Sequence, residues 1–308
     1  MRITAGKSSM EIFPRFGGAV GELLLEPAGG GDAVPVLYPD APEELEENPW
    51  FRGRILFPFC DRIPGGRYRF GGRDYRLEAN QDDGSAIHGL IHNRPGRITA
   101  EMVTGSSHSI TLGWKLGEDQ GYPFRLEFFV CCRISSDGAG GGRAELLYHA
   151  HNLGEESAPA GFGWHSYFRL PGIPASEHKI TIPSQNYVEV ESDLMPTGRF
   201  PAVSESGGLY DFRTGRAAGA ESYDIAFPAS DASCRSASIA AGEYRLTMAI
   251  DGAFSYFQLF TPPDGGSIAL EPLTNVTDAF NRDDMGMRVL EPGARMSGKI
   301  SLSLGRLS

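Results

Sequence analysis

The chain has 308 residues, 41% of them hydrophobic and 22% charged, and a formal net charge of −11. These values suit a globular protein with a large core. They exclude a typical nucleic-acid binder, which needs a basic face to neutralise phosphates, and no stretch of roughly 18 apolar residues is present to cross a membrane as a helix.

The segment Met1 to Lys7 lacks the apolar stretch of a secretory signal. Cys60, Cys131, Cys132 and Cys234 are scattered, with no C-x-x-C pair, so reduced thiols and a cytoplasmic location are expected. The 40 glycines and 21 prolines follow no repeat and read as turns between many short strands. Pro/Gly-rich stretches at 27–35, 137–142 and 262–266 read as loops, not domain linkers.

Helical patterns are scarce. Ala41 to Glu47 reads as a turn or two of helix, started by Asp40 or Pro42. Next, Phe57-Pro-Phe-Cys-Asp61-Arg62-Ile63-Pro64 sets a charged pair inside an apolar segment, which by itself fits a structural pair as well as a site. Tyr68-Arg-Phe70, then Gly71-Gly72-Arg73-Asp74 as the turn, then Tyr75-Arg-Leu77, predicts a hairpin, and its arginines read as a solvated face. His88 then lies among apolar residues in Ile87-His-Gly-Leu-Ile91.

Rows of period two follow: Ile110, Leu112, Trp114 and Leu116; Leu126, Phe128, Val130, Cys132 and Ile134; Tyr244, Leu246, Met248 and Ile250; and Ile300, Leu302 and Leu304. Each row predicts a strand with one face in a core. Cys131 and Cys132 then point to opposite faces and cannot chelate one metal together. His149 and His151 share a strand face, but no third ligand is identifiable and no metal site is expected. Gly161 to Phe168 clusters aromatic residues around His165, matching the C–H faces of a sugar ring. Glu271 ends the apolar run Ser267 to Leu270 just before Pro272. No glycine-rich phosphate loop or G-x-S-x-G elbow occurs. Many strands without long helices predict an all-β fold, a large antiparallel β-sandwich, as one domain over residues 1–308.

In their order and spacing, several segments together resemble the aldose 1-epimerase (galactose mutarotase-like) family. These are Asp61-Arg62-Ile63, Tyr75-Arg-Leu77 with Asn80 and His88-Gly89, and His165-Ser-Tyr-Phe168. Leu194-Met-Pro-Thr-Gly198, Tyr210-Asp-Phe212, Tyr223-Asp224 and Glu271-Pro272 follow. The resemblance runs from about residue 8 to about residue 304. It implies a large antiparallel supersandwich with a sugar in an open cleft, Glu271 as general base and His165 as general acid. Arg62, His88 and Asp224 would bind sugar hydroxyls or the ring oxygen. Asp61 stands where Asn is common in mutarotases, Leu90 where a further Gly is frequent, and Leu273-Thr274-Asn275 follows Glu271-Pro272.

The implied reaction interconverts α and β anomers by taking the C1 hydroxyl proton and protonating the ring oxygen, and it asks for no cofactor. Glu271 and Asp224 are expected to raise the His165 pKa and favour its acid form. Two alternatives share the fold. One is a hexose-6-phosphate 1-epimerase, with Arg94, Arg97 or Arg169 holding phosphate; the other is a non-catalytic sugar-binding protein. The sequence leaves the sugar and the oligomeric state open.

Overall fold

The computed structural model describes every residue except Ala139, Ser230 and Ser308. Ala139, in the expected 137–142 loop, and Ser308, the end of the expected domain, lie outside the described residues.

The alternating rows become strands because every second side chain falls on one face. In Leu126–Ser136, the residues Leu126, Phe128, Val130, Cys132 and Ile134 are buried and those between them are partly exposed. Ile110, Leu112 and Trp114 lie opposite Cys132, Val130 and Phe128 across an antiparallel ladder. On the next strand, Tyr148 and Leu146 face Val130 and Cys132. Among the described residues, nine strands continue this antiparallel sheet. Their order is Arg97–Val103, Ser107–Lys115, Leu126–Ser136, Gly142–Asn152, Arg295–Arg306, Tyr244–Ile250, Ser236–Ala241, Lys179–Thr181 and Arg216–Ala217.

Its apolar face packs on a second antiparallel layer. Phe128 stacks on Phe57 at 4.0 Å between ring centroids, and Tyr148 on Phe162 at 4.1 Å. That layer orders Asp224–Pro228, Tyr256–Phe260, Ile268–Leu273, Gly163–Trp164 and Ile55–Leu56, with Tyr167–Phe168 also pairing with Ile268–Leu273. Every residue of Ile268–Leu273 is buried, so the alternation disappears where a strand is covered on both faces.

The hairpin forms as Arg67–Phe70 and Arg73–Arg76, with Tyr68 opposite Tyr75, so its turn is Gly71-Gly72 alone and the expected turn residues Arg73 and Asp74 instead pair with Phe70 and Arg69. Gly71 and Gly72 both have positive φ, +56° and +78°, which a two-residue hairpin turn of this type requires. His149 and His151 share the partly exposed face of Gly142–Asn152. Among the described residues, no group of three His, Cys, Asp or Glu side chains is placed to hold a metal ion.

The acidic stretch forms one helical turn, Glu44–Glu47, and Glu43 rather than Asp40 or Pro42 stands at its start. Asp40 is drawn inward because two buried guanidinium groups need a counter-charge. Its carboxylate lies 3.5 Å from Arg52 Nη1 and 3.7 Å from Arg54 Nη2, and the Asp40 and Arg54 side chains are fully buried. Burial pushes Asp40 up to about 6 despite both arginines. Arg54 also donates to the carbonyls of Phe16, Leu45 and His92. It thereby ties the 41–51 strap to the layer beneath.

Candidate active site

Cross-strand register brings three polar side chains to one face of the second layer. Glu271 lies opposite Gln258, and Gln258 lies opposite Ala226. Asp224, two residues before Ala226, therefore shares their face. Gln258 Nε2 donates to Asp224 Oδ1 at 2.6 Å. His165 is set by main-chain bonds, its N–H donating to Arg54 O at 3.0 Å and its carbonyl accepting from Gly53 N–H at 2.8 Å. Arg62 and His88 come from the short pair Arg62–Ile63 and Ala86–Ile87. Gly89 follows because a β-carbon there would lie 2.2 Å from the Phe57 carbonyl oxygen, and its φ is +78°.

All five residues singled out in the sequence, Arg62, His88, His165, Asp224 and Glu271, line one open cavity of about 150 Å³. His165 Nδ1 lies 3.5 Å from Glu271 Oε1 without hydrogen-bond alignment. Glu271 is 3% exposed and His165 6%, so water screens this pair poorly.

The imidazole of His165 lies nearly parallel to two aromatic rings. Tyr167 stacks at 5.0 Å with planes 3° apart, and Phe51 at 6.2 Å with planes 13° apart. Tyr167 is itself fixed by its hydroxyl, which donates to Trp50 O at 2.9 Å, and Arg52 sits over its ring at 5.7 Å. Phe51 also meets the edges of His88 and His92. Its φ of +53° is uncommon for a bulky residue.

Electrostatics here reverse one expectation. Burial pushes His165 down to about 3, so the neighbouring carboxylates do not make it an acid in the free protein. Burial, followed by the charges of Asp61 and Asp224, holds the Glu271 carboxyl well above the usual carboxylate range. Asp224 is pushed up to about 7, first by burial and then by Asp61. His88 is held well below the ordinary histidine value by burial and by His165, His92 and Arg62. Several carboxyl groups crowded into one cavity cannot all ionise, and buried imidazoles resist protonation.

Asp61 and Arg62 do not form the structural pair that the sequence allowed. Asp61 Oδ2 accepts a hydrogen bond from Thr277 Oγ1, and Arg62 Nη1 turns to Asp83 at 3.6 Å. None of Arg94, Arg97 and Arg169 lines the cavity. Arg94 pairs with Asp119, Arg169 lies over the Tyr38 ring, and Arg97 is exposed on an edge strand of the large sheet.

Sequence reasoning gave no role to Phe51 or Gln258 and included Tyr167 only within the aromatic cluster around His165; all three line the cavity. Gln258 had a signal, as a lone amide in the run Tyr256-Phe-Gln-Leu-Phe260. Trp50-Phe51 had a weaker one, an aromatic pair directly after an acidic stretch.

A family model described as aldose 1-epimerase matches residues 1–303. Among curated relatives, the uncharacterised protein YihR of Escherichia coli K12 is 31% identical over 158 residues, 51% of this chain and 49% of that protein. Mouse galactose mutarotase is 28% identical over 177 residues, covering 55% of this chain and 47% of the enzyme. The chain thus spans about half the length of these relatives. Among solved structures, a galactose mutarotase-like protein from Clostridium acetobutylicum superposes with a TM-score of 0.86. It is 21% identical, and the match covers 99% of this chain and 95% of that one, which is a likeness of fold.

Proposed function

The chain belongs to the aldose 1-epimerase family, and we propose that its cavity interconverts the α and β anomers of an unphosphorylated aldose by acid–base ring opening and closure. The observation that carries this reading is the facing of Glu271 and His165, 3.5 Å apart, both buried yet lining an open cavity. Anomer exchange needs one group to take the C1 hydroxyl proton and another to protonate the ring oxygen as the C1–O5 bond breaks. The aldehyde turns about C1–C2 and recloses, and the two groups exchange roles.

With Glu271 protonated and His165 neutral, the pair holds one proton. The form with ionised Glu271 and protonated His165 holds the same proton, so either form reaches the other by transfer without exchange with solvent. Sugar hydroxyls entering the cavity donate to the carboxylate and favour the ionised form. Glu271 then acts as base and His165 as acid, while Arg62, His88 and Asp224 hold the ring. Each of the two proton-transferring groups typically contributes about 10²–10⁴-fold.

A neutral sugar fits the lining better than a phosphosugar. Arg62 is the one Lys or Arg among the lining residues, and it faces Asp83. Asp61, Asp224 and Glu271 share the same cavity and would repel a phosphate. The test follows anomer exchange of α-D-glucose, α-D-galactose and glucose 6-phosphate by NMR. Acceleration of a free sugar, lowered at least about 100-fold in Glu271→Gln, is the expected result. Acceleration of the phosphosugar alone would overturn the substrate class. Equal rates in Glu271→Gln and His165→Asn, with sugar binding intact, would leave only a binding role.

A further inference from the structure

The cavity holds two histidines whose rings meet edge to face at 4.8 Å, and acid–base chemistry needs to tell them apart. The main chain around His88 does so. In the ladder that pairs Arg62 with Ile87 and Ile63 with Ala86, Asp61 and His88 come next. His88 N–H donates to Asp61 O at 3.1 Å, as an antiparallel pair requires. The return bond is unusual: Asp61 N–H donates at 3.2 Å to the ring nitrogen His88 Nδ1. The imidazole thus occupies the place of a carbonyl in the sheet.

This arrangement needs left-handed backbone at both residues, with φ +56° at Asp61 and +62° at His88. Such positions are costly for non-glycine residues and persist only where the surroundings enforce them. Here Thr277 Oγ1 donates to Asp61 Oδ2, and Asp278 N–H donates to Arg62 O at 2.7 Å. Both bonds come from the segment just beyond the Glu271 strand, so one stretch of chain carries the proposed base and braces the His88 clamp.

We infer that the Asp61 main chain, braced by Thr277, locks His88 as the neutral tautomer with its proton on Nε2. An amide N–H cannot accept a hydrogen bond, so a proton on Nδ1 would set two donors head to head in a site only 8% exposed. His88 is then a fixed donor through Nε2, and proton transfer falls to His165. The surroundings of His88 agree with a ring that stays uncharged: burial first, and then His165, His92 and Arg62, disfavour a cation there, and the Asp61 carboxylate is engaged by Thr277. Asp61 and Thr277 are positioning residues. The tautomer stands on geometry alone, and its use as a sugar donor rests on the epimerase reading.

The test is ¹⁵N NMR of the imidazoles in the labelled full chain, with the His88 signals assigned by their loss in His88→Gln. The expected result is a proton on Nε2, an unprotonated Nδ1 and no titration between about pH 5 and pH 8. Titration of His88 with an ordinary pKa, or a proton on Nδ1, overturns the inference. In Thr277→Val, His88 is expected to begin titrating or to populate the other tautomer, and KM to rise about tenfold, the equivalent of one lost hydrogen bond. Thr277→Ser should restore both. An unchanged His88 spectrum and KM in Thr277→Val overturns the bracing role. Should Thr277→Val fail to fold, the wild-type spectrum still decides the tautomer. A locked tautomer in a chain that accelerates no sugar leaves this inference standing and sinks the epimerase reading instead.

Discussion

Asp224→Asn separates the chemistry of the cavity from its electrostatic cost. The amide keeps an oxygen that can accept from Gln258 Nε2, so the local geometry survives. What is lost is a carboxyl raised from 3.8 to about 7. A carboxyl with a raised folded-state pKa keeps a proton that the unfolded chain has already released. Wild-type stability therefore falls as pH rises from about 4 to about 7, at up to about 1.4 kcal/mol per pH unit. Over roughly three units, this amounts to about 4 kcal/mol. Relief of Glu271, whose carboxyl also feels Asp224, changes the same balance. Urea unfolding at pH 5 and pH 8 reads the effect. Relative to wild type, the variant should gain about 2–3 kcal/mol between those pH values, the share of the window that lies above pH 5. With Asp224 holding the ring as a carboxylate, wild-type kcat/KM is expected to rise through about pH 7, and the variant should lack that rise. A variant-to-wild-type stability difference independent of pH would refute the reasoning, because it would mean that Asp224 titrates alike in the folded and unfolded chains.

Phe51→Ala should admit water to the His165 ring and raise its pKa from about 3 toward 6.5, as followed by NMR. Because a depressed histidine pKa removes stability as pH falls from 6.5 toward 3, the variant should also lose less stability on acidification. An unmoved His165 resonance would show that Phe51 does not keep the ring dry. Arg54→Met should cost about 2–4 kcal/mol at pH 7, since it leaves the buried Asp40 carboxylate with Arg52 alone and frees the Leu45 carbonyl on the strap. Adding Asp40→Asn to that variant should recover part of the loss. A cost below about 1 kcal/mol in urea unfolding would mean that the cluster is not buried in solution.

The sequence by itself determined the strands and the candidate residues. Rows such as Leu126 to Ile134 alternate between neighbours two apart in the chain, and one face of a strand needs no other information. Gly71-Gly72 likewise sets its turn through backbone freedom alone. The order of the polar segments, through the family resemblance it carries, pointed to Arg62, His88, His165, Asp224 and Glu271 before any fold was built, and the fold brings them to one cavity. Only the tertiary structure decided their electrostatic state. The depressed pKa of His165 comes from burial in a site where Phe51 and Tyr167, 114 residues earlier and two later, lie nearly parallel to its ring. The brace on His88 joins Asp61 to Thr277 across 216 positions. Asp40 reads as a helix cap in the sequence, yet it is the counter-charge of two buried arginines. Periodicity is a property of neighbours along the chain. Solvation and charge depend on everything that folds around a group, and here those surroundings come from segments far apart in sequence.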